Sequence, residues 1–136
     1  MAQYVDSSAL LKRYVIEPDA AEARRLLAAD PVWICGAHTQ VEVRRALSVR
    51  LGSDSDALAR ARAAFERDWA RILVAQLDET VCGSAASLAE VTGARSLDAL
   101  HLACAQRVGA PAVRLVTYDA RLAAAARSLR WAVVGA

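Results

Sequence analysis

Lysine and histidine are scarce in this 136-residue chain: the only lysine is Lys12, and the only histidines are His38 and His101. A phosphoacceptor receiver domain also places acids at strand ends, but it needs a lysine on a late strand. The lack of that lysine excludes the class. Metal-independent ribonucleases use paired general acid and base groups, usually histidines. The two histidines here have no spacing that makes them a pair, which argues against such an enzyme.

The three cysteines, Cys35, Cys82 and Cys104, are odd in number and widely spaced. This pattern argues against a disulfide framework and a C-x-x-C zinc site, so we interpret all three as buried thiols. The longest charge-free windows, such as residues 32–41, are too short and too polar to span a bilayer. The N-terminus has no basic-then-apolar signal pattern. We therefore expect a cytoplasmic protein without membrane association, whose mature chain begins at or near Met1.

A strong net charge is absent as well. The formal charge of +2 is too small to indicate nucleic-acid binding by electrostatics alone. Among the 17 basic residues all but one are arginine, whose planar fork suits phosphate, although GC-rich coding explains this usage equally well. The length predicts a single domain, residues 1–136, and a hydrophobic content of 56% excludes a disordered chain. Composition leaves the partner open.

Short apolar runs alternate with helical patterns along the chain. Strands are predicted near residues 4–5 and at 32–35, 72–75, 112–117 and 131–134. Helices are predicted at residues 7–14, 19–29, 39–51, 56–69, 79–91 behind Asp78 as N-cap, from Ser96 as N-cap to a stop at Gly109, and 120–128. This alternation predicts a three-layer α/β/α fold with a central, mostly parallel sheet of four to five strands.

Four acids occupy comparable places in this pattern. Asp6 and Asp119 each lie at a strand-to-helix junction, and Glu42 and Asp98 each lie in the first turn of a helix. Helix capping explains each acid separately. Parallel strands, however, bring helix N-termini to one edge of a sheet, so we expect the four carboxylates to converge. Clustered carboxylates must bind protons or recruit cations, and all-oxygen ligands select Mg²⁺ or Mn²⁺. The pattern predicts a phosphodiester hydrolase.

Four segments of the chain form recognisable motifs: YVDSSAL at residues 4–10, VEVRRAL at 41–47, RSLDALHLA at 95–103 and TYD at 117–119. They resemble the motifs of the PIN-domain ribonucleases and, within that family, of the VapC-type toxins of toxin–antitoxin pairs. The resemblance spans the whole chain, and its most specific part is the third segment. It implies a PIN-like α/β/α fold and Mg²⁺- or Mn²⁺-dependent endonucleolytic cleavage of RNA by the toxin of a type II pair.

The resemblance also implies roles for individual residues. In the family, the positions that match four of these residues form the acidic metal site, and two further positions lie beside it. The acids are Asp6, Glu42, Asp98 and Asp119, and the flanking residues are Ser7 and Thr117. Some relatives carry a further acid after the last motif, where this chain has Ala120 and Arg121. We therefore expect one firmly held ion, with Asp6, Asp98 and Asp119 as its ligands.

A metal ion at such a site would lower the pKa of a bound water and orient it for in-line attack on the phosphate. Glu42 would complete the coordination or hold the water, and Thr117 would hydrogen-bond a carboxylate. We interpret His101 as a hydrogen-bonded core residue on an apolar helix and leave His38 unassigned. The candidate RNA contacts are Arg44, Arg45 and Arg50, for which a solvated helix face is the competing explanation.

The resemblance further implies two protein partners, a second copy in a homodimer built through helices and a VapB-like antitoxin. The C-terminal segment of the antitoxin would lie across the acidic groove, and an arginine inserted there would bind Asp6 or Asp98. The competing hypothesis is a catalytically silent PIN-like fold that binds RNA or protein and uses the acids only as helix caps. Cleavage that a chelator abolishes and Mg²⁺ restores would decide between the two. The sequence does not identify the RNA target, since phosphate contacts carry no sequence information.

Overall fold

A central sheet of five parallel strands organises the computed structural model, which describes residues 2–136. The strands are β1 Ala2–Val5, β2 Val32–Gly36, β3 Leu73–Ala75, β4 Arg114–Thr117 and β5 Val133–Gly135. Their order across the sheet is β3-β2-β1-β4-β5, and every neighbouring pair is parallel. Tyr4 of the central strand pairs with Ile34 on one side and Leu115 on the other. The predicted sheet is confirmed.

Helices connect the strands and cover both faces of the sheet. They are α1 Ser7–Leu11, α2 Ala20–Ala28, α3 Thr39–Leu51, α4 Asp56–Trp69, α5 Glu79–Thr92, α6 Ser96–Arg107 and α7 Ala120–Ser128. Because side chains alternate along a strand, β1 buries Tyr4 on the face covered by α5 to α7 and Val5 on the opposite face. The core of that second face includes Leu10, Leu47 and Phe65. The result is the predicted three-layer α/β/α arrangement.

Several predicted boundaries are corrected. The first helix ends at Leu11, with turns over the next three residues, and the last strand starts at Val133. Ser96 is the first residue of α6, not its N-cap: Arg95 holds the extended cap conformation, at φ −69° and ψ 163°, without a side-chain cap. Serine is a preferred N-cap residue, and this preference placed the predicted start of the helix one residue too late.

The prediction of three buried thiols is wrong at one position. Cys35 and Cys104 are buried, whereas Cys82 is exposed. The buried residues of α5 are Val81, Ala85 and Leu88, at i, i+4 and i+7, so Cys82 lies off the stripe that faces the sheet. Within residues 2–136, none of the helices has both the length and the apolar character needed to cross a membrane.

Candidate active site

Asp6 lies where β1 runs into α1, at the C-terminal edge of the sheet. Its backbone is extended, and its Oδ1 accepts a 3.0 Å hydrogen bond from the Ala9 N–H, so Asp6 is the N-cap of α1. The Ser8 hydroxyl donates to the same carboxylate, at 2.8 Å from Oδ1 and 2.9 Å from Oδ2. Asp6 is only 2% exposed. Asp6 therefore caps α1 through Oδ1, and capping alone does not account for the burial of its whole carboxylate.

Hydrogen bonds tie the end of β4 to the end of β1. Thr117 Oγ1 donates to Asp6 Oδ2 at 2.7 Å and accepts from the Asp119 N–H at 3.0 Å. Ser8 Oγ accepts from the Tyr118 N–H at 2.8 Å. The two strand-to-helix junctions are thus held in register by side chains as well as by the sheet. Sequence reasoning singled out Thr117 here, but it did not single out Ser8.

The other three predicted acids line one groove of about 780 Å³ at this edge. Glu42 reaches it from the first turn of α3, and Asp98 from the first turn of α6. Asp119 is the N-cap of α7, where Oδ1 accepts from the N–H groups of Arg121 and Leu122. The convergence of carboxylates expected from parallel topology is present in the structure.

Burial and mutual repulsion leave this acidic cluster poorly neutralised. Desolvation by burial raises the pKa of Asp98, and the charges of Asp119, Asp6 and Glu42 raise it further, while His101 opposes the rise. Burial also raises the pKa of Asp6, despite the opposing influence of His101 and the hydrogen bond from Thr117. Carboxylates in this condition are stabilised by a bound cation, and an all-oxygen donor set fits a hard divalent ion.

Glu42 belongs to a chain of hydrogen bonds that runs into the core. His101 Nε2 lies 2.7 Å from Glu42 Oε1, and His101 Nδ1 lies 2.7 Å from Tyr4 Oη, which accepts from the Gly36 N–H at 3.0 Å. Burial acts to raise the pKa of Glu42, but the hydrogen bond and charge of His101, helped by Ser7, hold the pKa below its usual range. The lowered pKa of Glu42 sets it apart from Asp6 and Asp98, whose pKa values are raised.

The interpretation of His101 as a buried, hydrogen-bonded residue is correct, but its link to the site was missed. A local signal for it existed: His101 lies three residues after Asp98, one helical turn away and on the same face of α6. The contact with Glu42 joins residues 59 apart in the chain. The local sequence therefore places His101 next to Asp98 but does not indicate its contact with Glu42.

His38, which has no role assigned from the sequence, lies beside the hydrogen-bonded pair of Glu42 and His101. Its ring packs against that of His101, tilted by 41° with the centroids 4.0 Å apart, and its Nε2 is 3.9 Å from Glu42 Oε1. Within residues 2–136 neither ring nitrogen makes a hydrogen bond, although the Leu97 backbone is near enough to favour the protonated ring. Burial, followed by the charge of His101, lowers the pKa of His38 to about 4. His38 precedes Glu42 by four residues, a helical spacing that could have flagged it.

The arginines are arranged differently from the sequence-based expectation. Arg44 lies 3.9 Å from Glu66, and Arg50 forms an ion pair with Glu17. The arginines that line the acidic groove are Arg95 and Arg121, which sequence reasoning did not propose as RNA contacts. Arg45 is exposed on α3. The roles of Arg44, Arg45 and Arg50 as RNA contacts stay a prediction.

The fold is a parallel sheet between two helical layers, with Glu42, Asp98 and Asp119 in one groove at the C-terminal edge of the sheet and the buried Asp6 at the same edge. This arrangement defines a class of α/β domains with an acidic site. The chain belongs to the PIN-domain family, whose family model matches residues 3–128. It is similar to Ribonuclease VapC46 of Mycobacterium tuberculosis (strain ATCC 25618 / H37Rv), at 38% identity over 133 residues, 98% of this chain and 96% of that protein. Ribonuclease VapC35 of the same organism is 36% identical over 135 residues, 96% of this chain and 94% of that protein.

Two solved structures share the fold at lower identity. A toxin–antitoxin complex from Klebsiella pneumoniae superposes with a TM-score of 0.74 at 16% identity, covering 98% of this chain and 96% of that chain. Mycobacterium tuberculosis VapC20, described as a sarcin–ricin loop cleaving toxin, superposes with a TM-score of 0.73 at 21% identity, covering 92% and 95%. At these identities the likeness concerns the fold.

Proposed function

We propose that this protein is a divalent-metal-dependent endoribonuclease and the toxin of a type II toxin–antitoxin pair. The observation that carries the proposal is that Glu42, Asp98 and Asp119 line one groove while Asp6 is buried at the same edge of the sheet, with raised pKa values at Asp6 and Asp98. Relatives named as VapC ribonucleases, at 36–38% identity over nearly the whole chain, support it. The described strands form one sheet, and the proposal assigns residues 1–136 to a single domain.

Capping alone is a weaker account of the acids. Asp6 and Asp119 do cap helices, but Arg95 rather than Asp98 occupies the cap position of α6. Glu42 has its carboxylate bound by His101 and does not cap α3, where His38 is the N-cap residue. A silent fold would have no need for two further acids that repel the capping pair.

The residues that would hold Mg²⁺ or Mn²⁺ are Asp6, Asp98 and Asp119. When bound, the ion supplies a Lewis acid that lowers the pKa of a coordinated water and neutralises charge on the phosphate. Thr117 and Ser8 fix the direction of the Asp6 carboxylate by hydrogen bonds to its oxygens. These contacts hold the Asp6 carboxylate in a fixed orientation.

The remaining groups act on the water and the substrate. Glu42, held through Oε1 by His101, either orients the attacking water or completes the ligand set. Arg95 and Arg121, on opposite elements of the groove, are placed to donate hydrogen bonds to RNA phosphates. This assigns substrate positioning to two basic residues at the site itself.

The proposal also includes a VapB-like antitoxin, which a structural neighbour described as a toxin–antitoxin complex supports. A homodimer is a further part of the proposal. An arginine of the antitoxin would enter the acidic groove and bind Asp6 or Asp98. The double variant Asp6→Asn with Asp98→Asn should therefore weaken antitoxin binding in a titration with the purified partner. Unchanged affinity would place the inhibitor elsewhere.

The test of the central activity is cleavage of RNA by purified protein in chelator and after addition of Mg²⁺. We expect Mg²⁺ to restore cleavage, and Asp98→Asn to reduce it by more than about 100-fold, since it removes a metal ligand and not merely a group that orients one. Asp56, an acid in the first turn of α4 and outside the groove, provides the matched control Asp56→Asn. Equal activity of Asp98→Asn and Asp56→Asn would refute the assignment.

A further inference from the structure

A second group of potential metal ligands lies next to the acidic cluster. His38, Glu42 and His101 each offer one donor atom, and the three donor atoms lie within 4.8 Å of one another. Glu42 Oε1 is 2.7 Å from His101 Nε2 and 3.9 Å from His38 Nε2. Both histidines are more than nine-tenths buried. The group is therefore a compact, enclosed set of two nitrogens and one oxygen.

His38 is the unusual member of this group. Both of its ring nitrogens are buried, and by geometry neither makes a hydrogen bond within residues 2–136, although the Leu97 backbone lies near the ring. A buried nitrogen without a well-placed partner costs free energy. The backbone makes room for the ring: a Cβ on Gly36 would lie 2.6 Å from His38 Cε1 and 2.9 Å from Tyr4 Oη. The absence of a side chain at residue 36 thus allows His38 and the His101–Tyr4 pair to approach each other.

We propose that His38, Glu42 and His101 form a binding site for a divalent transition-metal ion of the zinc type, which shares Glu42 with the acidic groove but takes its other ligands from the two histidines. Imidazole nitrogens favour zinc and its neighbours over Mg²⁺. Tetrahedral zinc with bonds of about 2.0–2.1 Å places its ligands about 3.3 Å apart, which lies between the two separations found here. Two histidines and one glutamate leave the fourth position for water.

The surroundings of His101 suit this role. A metal ion can bind Nε2 only when that nitrogen carries no proton, so the neutral ring would then hold its one proton on Nδ1. From Nδ1 the proton would be donated to Tyr4 Oη, which lies 2.7 Å away. A partner on the second ring nitrogen orients a metal-binding histidine and sets its tautomer. Tyr4 would play that part for His101.

Glu42 is common to this site and to the acidic groove, so the two sites are coupled. Zinc bound through Glu42 would withdraw that carboxylate from the groove. Zinc should therefore inhibit Mg²⁺-dependent cleavage, a consequence that rests on the proposed ribonuclease function, whereas zinc binding itself does not. The rate of RNA cleavage would then fall as the concentration of available zinc rises.

The test uses untagged full-length protein carrying Cys82→Ser, which removes the exposed thiol. Calorimetric titration with ZnCl₂ and thermal unfolding with and without ZnCl₂ are measured in this background, in His38→Phe and in Asp98→Asn. Phenylalanine keeps a ring against His101 and removes the ligand nitrogens. We expect zinc to bind and stabilise the background protein. His38→Phe should lower zinc affinity by more than the roughly 10- to 100-fold loss typical of removing a group that only orients a ligand.

Asp98→Asn provides the opposite control, because it should keep zinc binding while losing stabilisation by Mg²⁺. Equal zinc affinity in His38→Phe and the background protein, or no zinc binding to the background protein, would overturn the proposal. If His38→Phe does not fold, the visible spectrum of the Co²⁺-loaded background protein decides. Tetrahedral bands from nitrogen and oxygen ligands support the site, and their absence overturns it.

Cleavage assays then separate the two hypotheses. The ratio of activities with and without zinc should be lower in the background protein than in His38→Phe. If no variant cleaves RNA yet zinc binding depends on His38, the ribonuclease proposal fails while the zinc site stands.

Discussion

Thr117 Oγ1 donates a 2.7 Å hydrogen bond to Asp6 Oδ2 and so joins the ends of β4 and β1 at the site. Replacement by valine keeps the shape and removes this bond to a charged acceptor. We expect Thr117→Val to lower the free energy of unfolding by about 1.5–3 kcal/mol and to weaken Mg²⁺-dependent activity. Chemical denaturation measures the first effect and RNA cleavage the second. Thr80→Val, at an exposed position of α5, is the control and should change neither.

Asp6 combines a capping role with a proposed ligand role, and Asp6→Asn separates them. Asparagine is also a good N-cap, so the fold should persist, whereas loss of the charge should remove more than about 99% of the cleavage. Circular dichroism and an RNA cleavage assay measure the two outcomes. Asp78→Asn, at the N-cap of α5 and outside the groove, should leave cleavage intact. A folded and fully active Asp6→Asn protein would show that Asp6 is only a cap.

Glu17 should make stability depend on pH at the opposite end of α1. The hydrogen bond from Lys12, helped by Arg50, lowers the pKa of Glu17 below its ordinary 4.5, although burial acts to raise it. An acid with a lowered folded-state pKa stabilises the protein above its unfolded pKa, and the stabilisation is lost as pH falls through the folded pKa. Glu17→Gln should therefore cost about 1.5–3 kcal/mol near neutral pH, and progressively less below pH 4.5.

Urea denaturation of wild type and Glu17→Gln across this pH range tests the prediction. Exposed Glu79 supplies the control Glu79→Gln, whose stability relative to wild type should vary little over the same range. A difference between wild type and Glu17→Gln that is independent of pH would contradict the assigned ion pair.

Two sets of arginines give different expectations for RNA binding. Arg95 and Arg121 line the groove, whereas Arg50 is engaged by Glu17. Arg121→Gln should weaken binding of a non-cleaved RNA and reduce the salt dependence of its affinity, because one phosphate contact is lost. Arg50→Gln should have a smaller effect. Fluorescence anisotropy at several salt concentrations measures both, and the reverse order of effects would support the arginines predicted from α3.

Much of this arrangement could be predicted because the governing signals are local. The bounds of α3, α4 and α7 follow from helical periodicity and their stop and cap residues, and Asp6 and Asp119 follow from strand-to-helix junctions. Parallel topology then places their carboxylates at one edge. Cap preference misled the prediction at the start of α6, where Arg95 and not Ser96 occupies the N-cap position.

The parts that escaped prediction depend on contacts between distant segments. Two contacts bring the start of α3 close to α6: the hydrogen bond between His101 and Glu42, and the packing of the His38 ring against that of His101. Periodicity shows which face of α6 is buried but not which residue it meets. The groove arginines were missed for the same reason, since Arg95 and Arg121 become neighbours of the acids only when α6 and α7 pack on the sheet.

The most direct test of the central claim is Mg²⁺-dependent stabilisation of the folded protein. A ligand that binds only the native state raises the unfolding free energy by about 2.7 kcal/mol at a hundredfold excess over its dissociation constant. Thermal or chemical unfolding with and without Mg²⁺ should show this stabilisation in wild type and in Asp56→Asn, but not in Asp98→Asn. The same response in all three proteins, or no response in wild type, would contradict a metal site built from the four acids.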